Sequence, residues 1–195
     1  MWKFVRTPKP FVTIDSMKIY ILRHGETTGN VAHLMDGATD VPLTEKGMEQ
    51  ARRAGDSLRD VPFTHFFTSP LSRAIRTMEL AMGRVPEYRV DARLIERDCG
   101  ALLGICYDDM DRHSYWSLTR NEEVFPDSES IRSVLDRVYD FLDEIKQTLP
   151  GDAVVLIAAH SGISKAVRCY FEGFPEDGDL LHWGLGNAEW RMYEL

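Results

Sequence analysis

Two apolar runs constrain the fold of this 195-residue chain more than any other feature. Residues 18–22 and 153–158 are rich in Ile, Val, Leu and Ala, a composition typical of buried strands. A histidine follows each run within two residues, His24 after the first and His160 after the second. Because ligands bind at the carboxyl ends of strands in open α/β sheets, we expect the two imidazoles to meet in one crevice.

Segments with strand-like and helix-like patterns alternate along most of the chain. Thr44 is the predicted N-cap of one helix, and Pro70 takes the first helical position of another. The predicted helices span about 44–59, 70–82 and 128–147, and the tail, 181–195, is predicted to contain two short strands. This alternation predicts an α/β fold, with a mainly parallel sheet covered by helices on both faces.

The length and the 44% hydrophobic content favour one domain with a well-buried core. Residues 1–16 contain two prolines and no clear periodicity, so we expect an N-terminal extension there. A single domain is then predicted over residues 17–195. Within it, the aromatic and charged stretch at about 105–128 is predicted to form a variable helical insert over the site.

Charge and composition argue against several classes of protein. A net charge of -8 disfavours non-specific nucleic-acid binding, which depends on many cations meeting the phosphate backbone. No apolar stretch approaches the ~20 residues that span a bilayer. The three cysteines are scattered and lack the spacing of a metal site. We therefore expect a cytoplasmic protein that binds neither nucleic acid nor membranes, and whose arginines can still attract a small anionic substrate.

The strongest chemical signal begins with Arg23, His24 and Gly25, with Asn30 downstream. This string supplies a nucleophilic imidazole, a guanidinium that can bind two oxygens, and a small residue that permits close approach of the backbone. An arginine beside the histidine makes a phosphate the expected ligand. The alternative interpretation is a loop histidine beside a surface cation.

Three further residues indicate a function only when they are considered together. Arg73 lies in the first turn of a predicted helix, where its guanidinium and the helix N-terminus can face an anion. Glu96 is a carboxylic acid that could protonate a leaving oxygen. Taken singly, Arg73 is equally interpreted as a solvated charge, Glu96 as an ordinary loop carboxylate and His160 as a structural histidine. Together with His24 they favour phosphoryl transfer.

In this order, the motifs resemble those of the histidine phosphatase superfamily, in its phosphoglycerate mutase-like branch. The resemblance covers residues 17–195 and rests on segments 22–27, 42–47, 69–74 and 159–162, with Asn30 and Glu96 between them. It implies a three-layer α/β/α sandwich and a two-step phosphoryl transfer that needs no metal or other cofactor.

The resemblance also implies roles for individual residues. His24 would be the nucleophile, with its Nδ1–H held by a partner such as a backbone carbonyl, and Glu96 would act as acid and then as base. The phosphoryl oxygens would be bound by Arg23, Arg73, His160, Asn30, Ser161 and the backbone near Gly162. Ser161 stands where many relatives have glycine.

Departures from the mutase pattern favour hydrolysis. Mutases usually place a tyrosine three residues after the acid and a paired-arginine cluster further on, whereas this chain has Cys99 and the separated cations Arg112, His113 and Arg120. We therefore expect a metal-independent phosphomonoesterase that acts on a small phosphorylated metabolite. The alternatives are a cofactor-dependent phosphoglycerate mutase and, from another class, an inactive phosphatase-like binding module.

The aromatic part of the insert allows two interpretations. Tyr107, Tyr115 and Trp116 either shape a pocket for the leaving group or serve only as packing within a lid.

Overall fold

A computed structural model describes residues 16–195 of the chain. In it, one five-stranded sheet has the order β3-β2-β4-β1-β5. The strands are β1 (Lys18–Arg23), β2 (His65–Thr68), β3 (Arg89–Val90), β4 (Val154–Ala159) and β5 (Trp190–Glu194). The first four run parallel to one another, and β5 pairs antiparallel with β1 at one edge.

Helices connect the strands, and short 3-10 turns lie at 92–94, 100–102 and 181–183. The α-helices are α1 (Thr28–Val31), α2 (Glu45–Leu58), α3 (Ser72–Met82), α4 (Arg112–Tyr115), α5 (Asn121–Val124), α6 (Ile131–Thr148) and α7 (Ser161–Glu172). Thr44 caps α2 as predicted, because its side chain accepts a hydrogen bond from the backbone N–H of Gly47 at 2.9 Å.

The helices form a layer on each face of the sheet because side chains alternate in direction along a strand. Ile19 and Ile21 of β1 pack in one core with α6 and α7. Leu22, on the opposite face, packs in a second core with α2 and α3. Burial of each such side chain stabilises the fold by about 1.5–3 kcal/mol. The predicted α/β/α sandwich with a mainly parallel sheet is confirmed.

The register between β1 and β4 brings the two histidine segments together. Arg23 pairs with Ala159, so both strands leave the sheet at the same level. The backbone N–H of His24 donates to the carbonyl of Ala159 at 3.0 Å, which extends the pairing by one residue. His24 and His160 therefore emerge side by side at the carboxyl edge of the sheet.

The helix predicted from Pro70 begins two residues later. Ser69 still pairs with β4, through a bond from its N–H to the carbonyl of Ala158 at 3.0 Å. Leu71, the N-cap, has an extended backbone, and α3 starts at Ser72, whose N–H and hydroxyl both donate to Asp40. The position predicted for Pro70 is wrong because Leu71, the N-cap, still has an extended backbone and the helix begins only at Ser72.

The tail contains one strand where two were predicted. The segment 181–183 forms a 3-10 turn, and only β5 joins the sheet. The N–H of Leu185 donates to the hydroxyl of Ser164 on α7, so this part of the tail packs on a helix and not on a strand.

The remaining domain predictions concern the ends and the insert. The extension predicted for residues 1–16 lies outside the described residues, except for its last one. Between residues 105 and 128 the chain forms the two short helices α4 and α5, joined by turns. Across residues 16–195, no helix combines the length and the apolar character needed to cross a membrane.

Candidate active site

Two imidazoles meet at the carboxyl edge of the sheet. The ring centroids of His24 and His160 lie 5.2 Å apart, with 59° between the ring planes. Both side chains are buried, with exposed fractions of 5% for His24 and none for His160. The predicted convergence of the two histidine segments is therefore present in the fold.

His24 has its Nε2 available for attack. Its Nδ1 lies 2.7 Å from the carbonyl oxygen of Gly25. A carbonyl only accepts hydrogen bonds, so Nδ1 carries the proton and Nε2 keeps its lone pair. Burial, reinforced by the charges of Arg23 and Arg73, lowers the pKa of His24 to about 3, and the ring is neutral at pH 7. The predicted backbone carbonyl partner is confirmed.

Gly25 allows the chain to fold tightly after His24. A Cβ at Gly25 would lie only 2.2 Å from the carbonyl oxygen of Gly47, in the first turn of α2. The N–H of Gly25 donates to the hydroxyl of Thr77 on α3 at 3.0 Å. The backbone beside His24 is thus held by α2 and α3 on one side of the sheet.

Ser69 orients His160, a role that the sequence analysis missed. The hydroxyl of Ser69 lies 2.7 Å from Nε2 of His160 and accepts a hydrogen bond from the N–H of Leu71. Because burial holds the pKa of His160 well below its usual value, the ring is neutral. We assign the single ring proton to Nδ1, because the hydroxyl of Ser69 can donate to Nε2. Nδ1 is buried and has no hydrogen-bond partner within residues 16–195.

Two arginines flank the histidines. Nη1 of Arg23 donates to the carbonyl of Leu185 at 2.7 Å, while its buried Nε has no partner in the described part of the chain. Arg73 donates from Nη1 to the carbonyl of Thr39 and from Nη2 to that of Gly37. Each guanidinium is therefore anchored at one end and keeps further N–H groups for a ligand.

The amide nitrogen of Asn30 forms no hydrogen bond within residues 16–195. Its Oδ1 accepts hydrogen bonds from the N–H of Thr27 at 3.2 Å and from Nδ2 of Asn187 at 2.9 Å. Asn30 lines the cavity that also contains Arg23 and His24. Since the carbonyl end is used twice within the protein, the NH₂ end is the one left to a ligand.

Glu96 is held by two backbone N–H groups. Its Oε1 accepts from Arg97 at 2.8 Å, and its Oε2 accepts from Gly162 at 3.1 Å. A Cβ at Gly162 would lie 2.3 Å from Oε1, so only glycine lets the carboxylate approach this closely. The N–H of Gly162, expected to bind phosphate, is therefore engaged by Glu96 in this structure.

These residues share a cavity of about 300 Å³. The predicted residues Arg23, His24, Asn30, Arg73, Glu96 and Ser161 all line it. His160 contributes through its contact with His24, and Gly162 through its bond to Glu96. The predicted set is thus brought together at one place.

The insert forms the outer wall of the cavity. Tyr107, Tyr115 and Trp116 all line it. Tyr115 is also buried under the guanidinium of Arg97, which lies 3.9 Å from the ring centroid. Of the cations considered for a carboxylate clamp, Arg112 lines the cavity, whereas Nδ1 of His113 is hydrogen-bonded to Asp179. The aromatic residues therefore both pack within the insert and bound the cavity.

Sequence reasoning also missed Asp36 and Lys165. Both line the cavity, and Lys165 is buried although it carries an amine. Burial raises the pKa of Asp36, whose carboxylate packs against Gly29. The helical pattern of α7 places Lys165 one turn after Ser161 on the same face, which is the one signal that could have found it.

Comparison with protein families gives one match over almost the whole described chain. The model of the histidine phosphatase superfamily (branch 1) matches residues 19–195.

Similar proteins include mutases and phosphatases. A 2,3-bisphosphoglycerate-dependent phosphoglycerate mutase of Staphylococcus epidermidis is 29% identical over 216 aligned positions, which cover 91% of this chain and 94% of the mutase. A Bacillus subtilis protein, named uncharacterized phosphatase PhoE, is 29% identical over 183 positions, which cover 89% and 91%. The solved structure of a mycobacterial glucosyl-3-phosphoglycerate phosphatase with VO3 superposes with a TM-score of 0.77, at 27% identity, and covers 90% of this chain and 91% of that one.

The two alignments differ in length. The one with the mutase is longer than this 195-residue chain, so the mutase contributes residues without a counterpart here. The alignment with the B. subtilis phosphatase fits within the length of the chain.

Proposed function

The chain belongs to the histidine phosphatase superfamily (branch 1), and on this premise we propose that it is a phosphatase that hydrolyses a small phosphorylated metabolite through a phosphohistidine at His24. One observation carries the proposal. Two buried nitrogens, Nε of Arg23 and Nδ1 of His160, have no hydrogen-bond partner within residues 16–195, and they belong to the two residues that adjoin His24 in sequence and in space. Buried donors normally have partners, and the oxygens of a bound phosphoryl group would supply them.

The first step forms the phosphoenzyme. The Nε2 lone pair of His24 attacks phosphorus, and the bond from phosphorus to the ester oxygen breaks. Glu96, as a carboxylic acid, gives its proton to that oxygen, and the alcohol leaves. Arg23, Arg73 and the Nδ1–H of His160 bind the three equatorial oxygens, whose charge they stabilise in the transition state.

The second step returns the enzyme to its starting state. Glu96, now a carboxylate, takes a proton from water, and the resulting hydroxide oxygen attacks phosphorus. The bond from phosphorus to Nε2 breaks, its electron pair returns to the imidazole of His24, and inorganic phosphate is released. No metal takes part in either step.

Phosphoglycerate mutase remains the second candidate, because the similar proteins include mutases at 29% identity over nine-tenths of the chain. The alignment with the mutase contains mutase residues that have no counterpart here, and this difference and the residues of the insert favour hydrolysis. Cys99, at the place where mutases usually have tyrosine, is 1% exposed and packs against Gly37, outside the cavity lining. Arg120 is exposed and does not line the cavity, so no arginine pair is formed with Arg112.

The test is a panel of phosphorylated metabolites assayed for released phosphate with EDTA present. A mutase assay on phosphoglycerate, with and without bisphosphoglycerate, runs beside it. We expect the protein to release phosphate at a rate that EDTA does not reduce. We expect the rate of phosphoglycerate isomerisation to stay below the rate of phosphate release. Isomerisation that depends on bisphosphoglycerate would favour the mutase. No turnover of any ester, including an aryl phosphate between pH 5 and 8, would contradict both enzymes and favour a binding module.

A further inference from the structure

Lys165 is a buried amine inside the cavity that neither chemical step uses. Its side chain belongs to α7 and is 3% exposed, yet it lines the cavity with Glu96 and Trp116. Its Nζ donates to the carbonyls of Leu180 at 2.5 Å and Leu181 at 2.6 Å. An ammonium group has three N–H donors, so one remains without an acceptor within residues 16–195.

The charge of Lys165 has no carboxylate partner. None of the Asp and Glu oxygens of the described residues lies within 4.0 Å of its Nζ. The indole ring of Trp116, with its centroid 4.6 Å from Nζ, gives partial compensation. Burial lowers the pKa of Lys165 to about 7, which measures how poorly the surroundings stabilise the cation. Buried charges are usually paired, so a ligand is the natural source of the missing anion.

Nζ of Lys165 lies in the part of the cavity where we place the leaving group. Ser161 and Lys165 are four residues apart on one face of α7, so their backbones are separated by about 6 Å along the helix. Ser161 adjoins His160, whereas the amine of Lys165 contacts Trp116 of the insert and the turn at 181–183. Glu96, which protonates the leaving oxygen in the proposed mechanism, is the ionisable side chain whose charge acts most strongly on the pKa of this amine.

The charges that line the cavity leave room for one more anion. Five cationic side chains line it against two carboxylates, Asp36 and Glu96. The cations are Arg23, Arg73, Arg97, Arg112 and Lys165. With Glu96 in the acid form that the first step requires, the excess is four positive charges. A phosphoryl dianion compensates two of them, and a carboxylate on the leaving group would compensate one more.

We propose that Lys165 determines specificity by binding a carboxylate on the leaving group of the substrate through its free N–H. This inference rests on the proposed phosphomonoesterase function and narrows its substrates to phosphate esters of hydroxy acids. Phosphate esters of neutral alcohols bind less tightly because they leave the buried cation unpaired.

Binding of two phosphonates, measured by calorimetry at pH 6.5, tests the inference without turnover. 3-Phosphonopropionate carries a carboxylate, and propylphosphonate has the same chain length without it. We expect the wild-type protein to bind the first about tenfold to a hundredfold more tightly, the range for a charge-assisted hydrogen bond. In K165M this ratio should fall close to one, and in K165R it should recover in part. K146M, which removes an exposed lysine of α6, should keep the wild-type ratio.

Each result bears on the inference. A wild-type ratio near one, or a K165M ratio equal to that of the wild type, would overturn it. Should K165M fail to fold, the affinity ratios of the wild type and K165R still test whether Lys165 binds the carboxylate. Turnover of 4-nitrophenyl phosphate together with a ratio near one would overturn the role of Lys165 alone. No turnover and no binding of either phosphonate would overturn the proposed function as well.

Discussion

The hydroxyl of Ser69, at the end of β2, lies 2.7 Å from Nε2 of His160, at the end of β4. The two strands are neighbours, and Phe67 and Thr68 pair with Ile157 and Ala158 just before the site. This contact occupies Nε2, so Nδ1 is the ring nitrogen of His160 that remains for a ligand. The pairing of β2 with β4 therefore determines the orientation of His160 in the site.

Replacement of Ser69 by alanine should slow turnover of an aryl phosphate. Without the hydroxyl, His160 loses the contact that keeps its proton on Nδ1, and we expect kcat to fall about tenfold, the equivalent of one neutral hydrogen bond. Steady-state kinetics measure the effect. S72A is the matched control, because its hydroxyl donates to Asp40 at the same helix start and does not contact His160. An equal fall of kcat in S69A and S72A would show that the effect comes from a disturbed start of α3 and not from His160.

Glu96→Gln should slow alkyl phosphates much more than aryl phosphates. An alkoxide needs a proton to leave, whereas a phenolate leaves without one, so we expect a loss at least about tenfold larger for the alkyl ester. The ratio of the two kcat values in E96Q and in the wild type is the measurement. E45Q, at an exposed position of α2, should leave the ratio unchanged. Equal slowing of both esters would show that Glu96 does not protonate the leaving oxygen.

Gly162→Ala should damage the same step by displacing Glu96. The new Cβ would lie 2.3 Å from Oε1 of Glu96 and 3.1 Å from Cη2 of Trp116, so the carboxylate must move away from its N–H donor. We expect kcat for alkyl phosphates to fall about tenfold or more, in line with the cost of misplacing a catalytic group. G151A is the control, since no atom lies within 4 Å of a Cβ there. Wild-type rates in G162A would show that the placement of Glu96 tolerates the shift.

A buried ion cluster should make stability depend on pH. Asp91 is 7% exposed and accepts hydrogen bonds from Arg93 and Arg89, which lower its pKa to about 2. Because the folded pKa lies below the unfolded value, the stabilisation is complete above about pH 4 and is lost as pH falls toward 2. D91N should lower the free energy of unfolding by about 2 kcal/mol at pH 7 and by much less near pH 2.

Urea unfolding between pH 2 and 7 measures this difference. D56N is the control, because Asp56 forms an exposed pair with Arg59 and contributes little. A difference between D91N and the wild type that does not shrink as pH falls would contradict the assigned pKa of Asp91.

The sequence was sufficient for the parts of the fold that follow from local pattern. The apolar runs before His24 and His160 predict β1 and β4, and the cap at Thr44 predicts α2, because burial and capping act over a few residues. The predicted site residues lie together because the parallel register of those two strands aligns the motifs.

The features that the sequence did not reveal depend on contacts between distant segments. The start of α3 at Ser72 is set by Asp40, 32 residues earlier. The surroundings of Lys165 come from Trp116 and the turn near Leu181, which no local pattern connects to α7. The short helix α1, with its capping box between Thr27 and Asn30, has only four residues, which are too few to show a helical periodicity.

The most direct test of the account is the site of phosphorylation. The protein is incubated with a 32P-labelled phosphate ester, quenched in alkali, digested and mapped by mass spectrometry, with H182A as a control that removes a different histidine. We predict label on His24 that is stable in alkali and lost in acid, present in the wild type and H182A, and absent from H24A. Acid-labile label on another residue, or label that persists in H24A, would contradict the account.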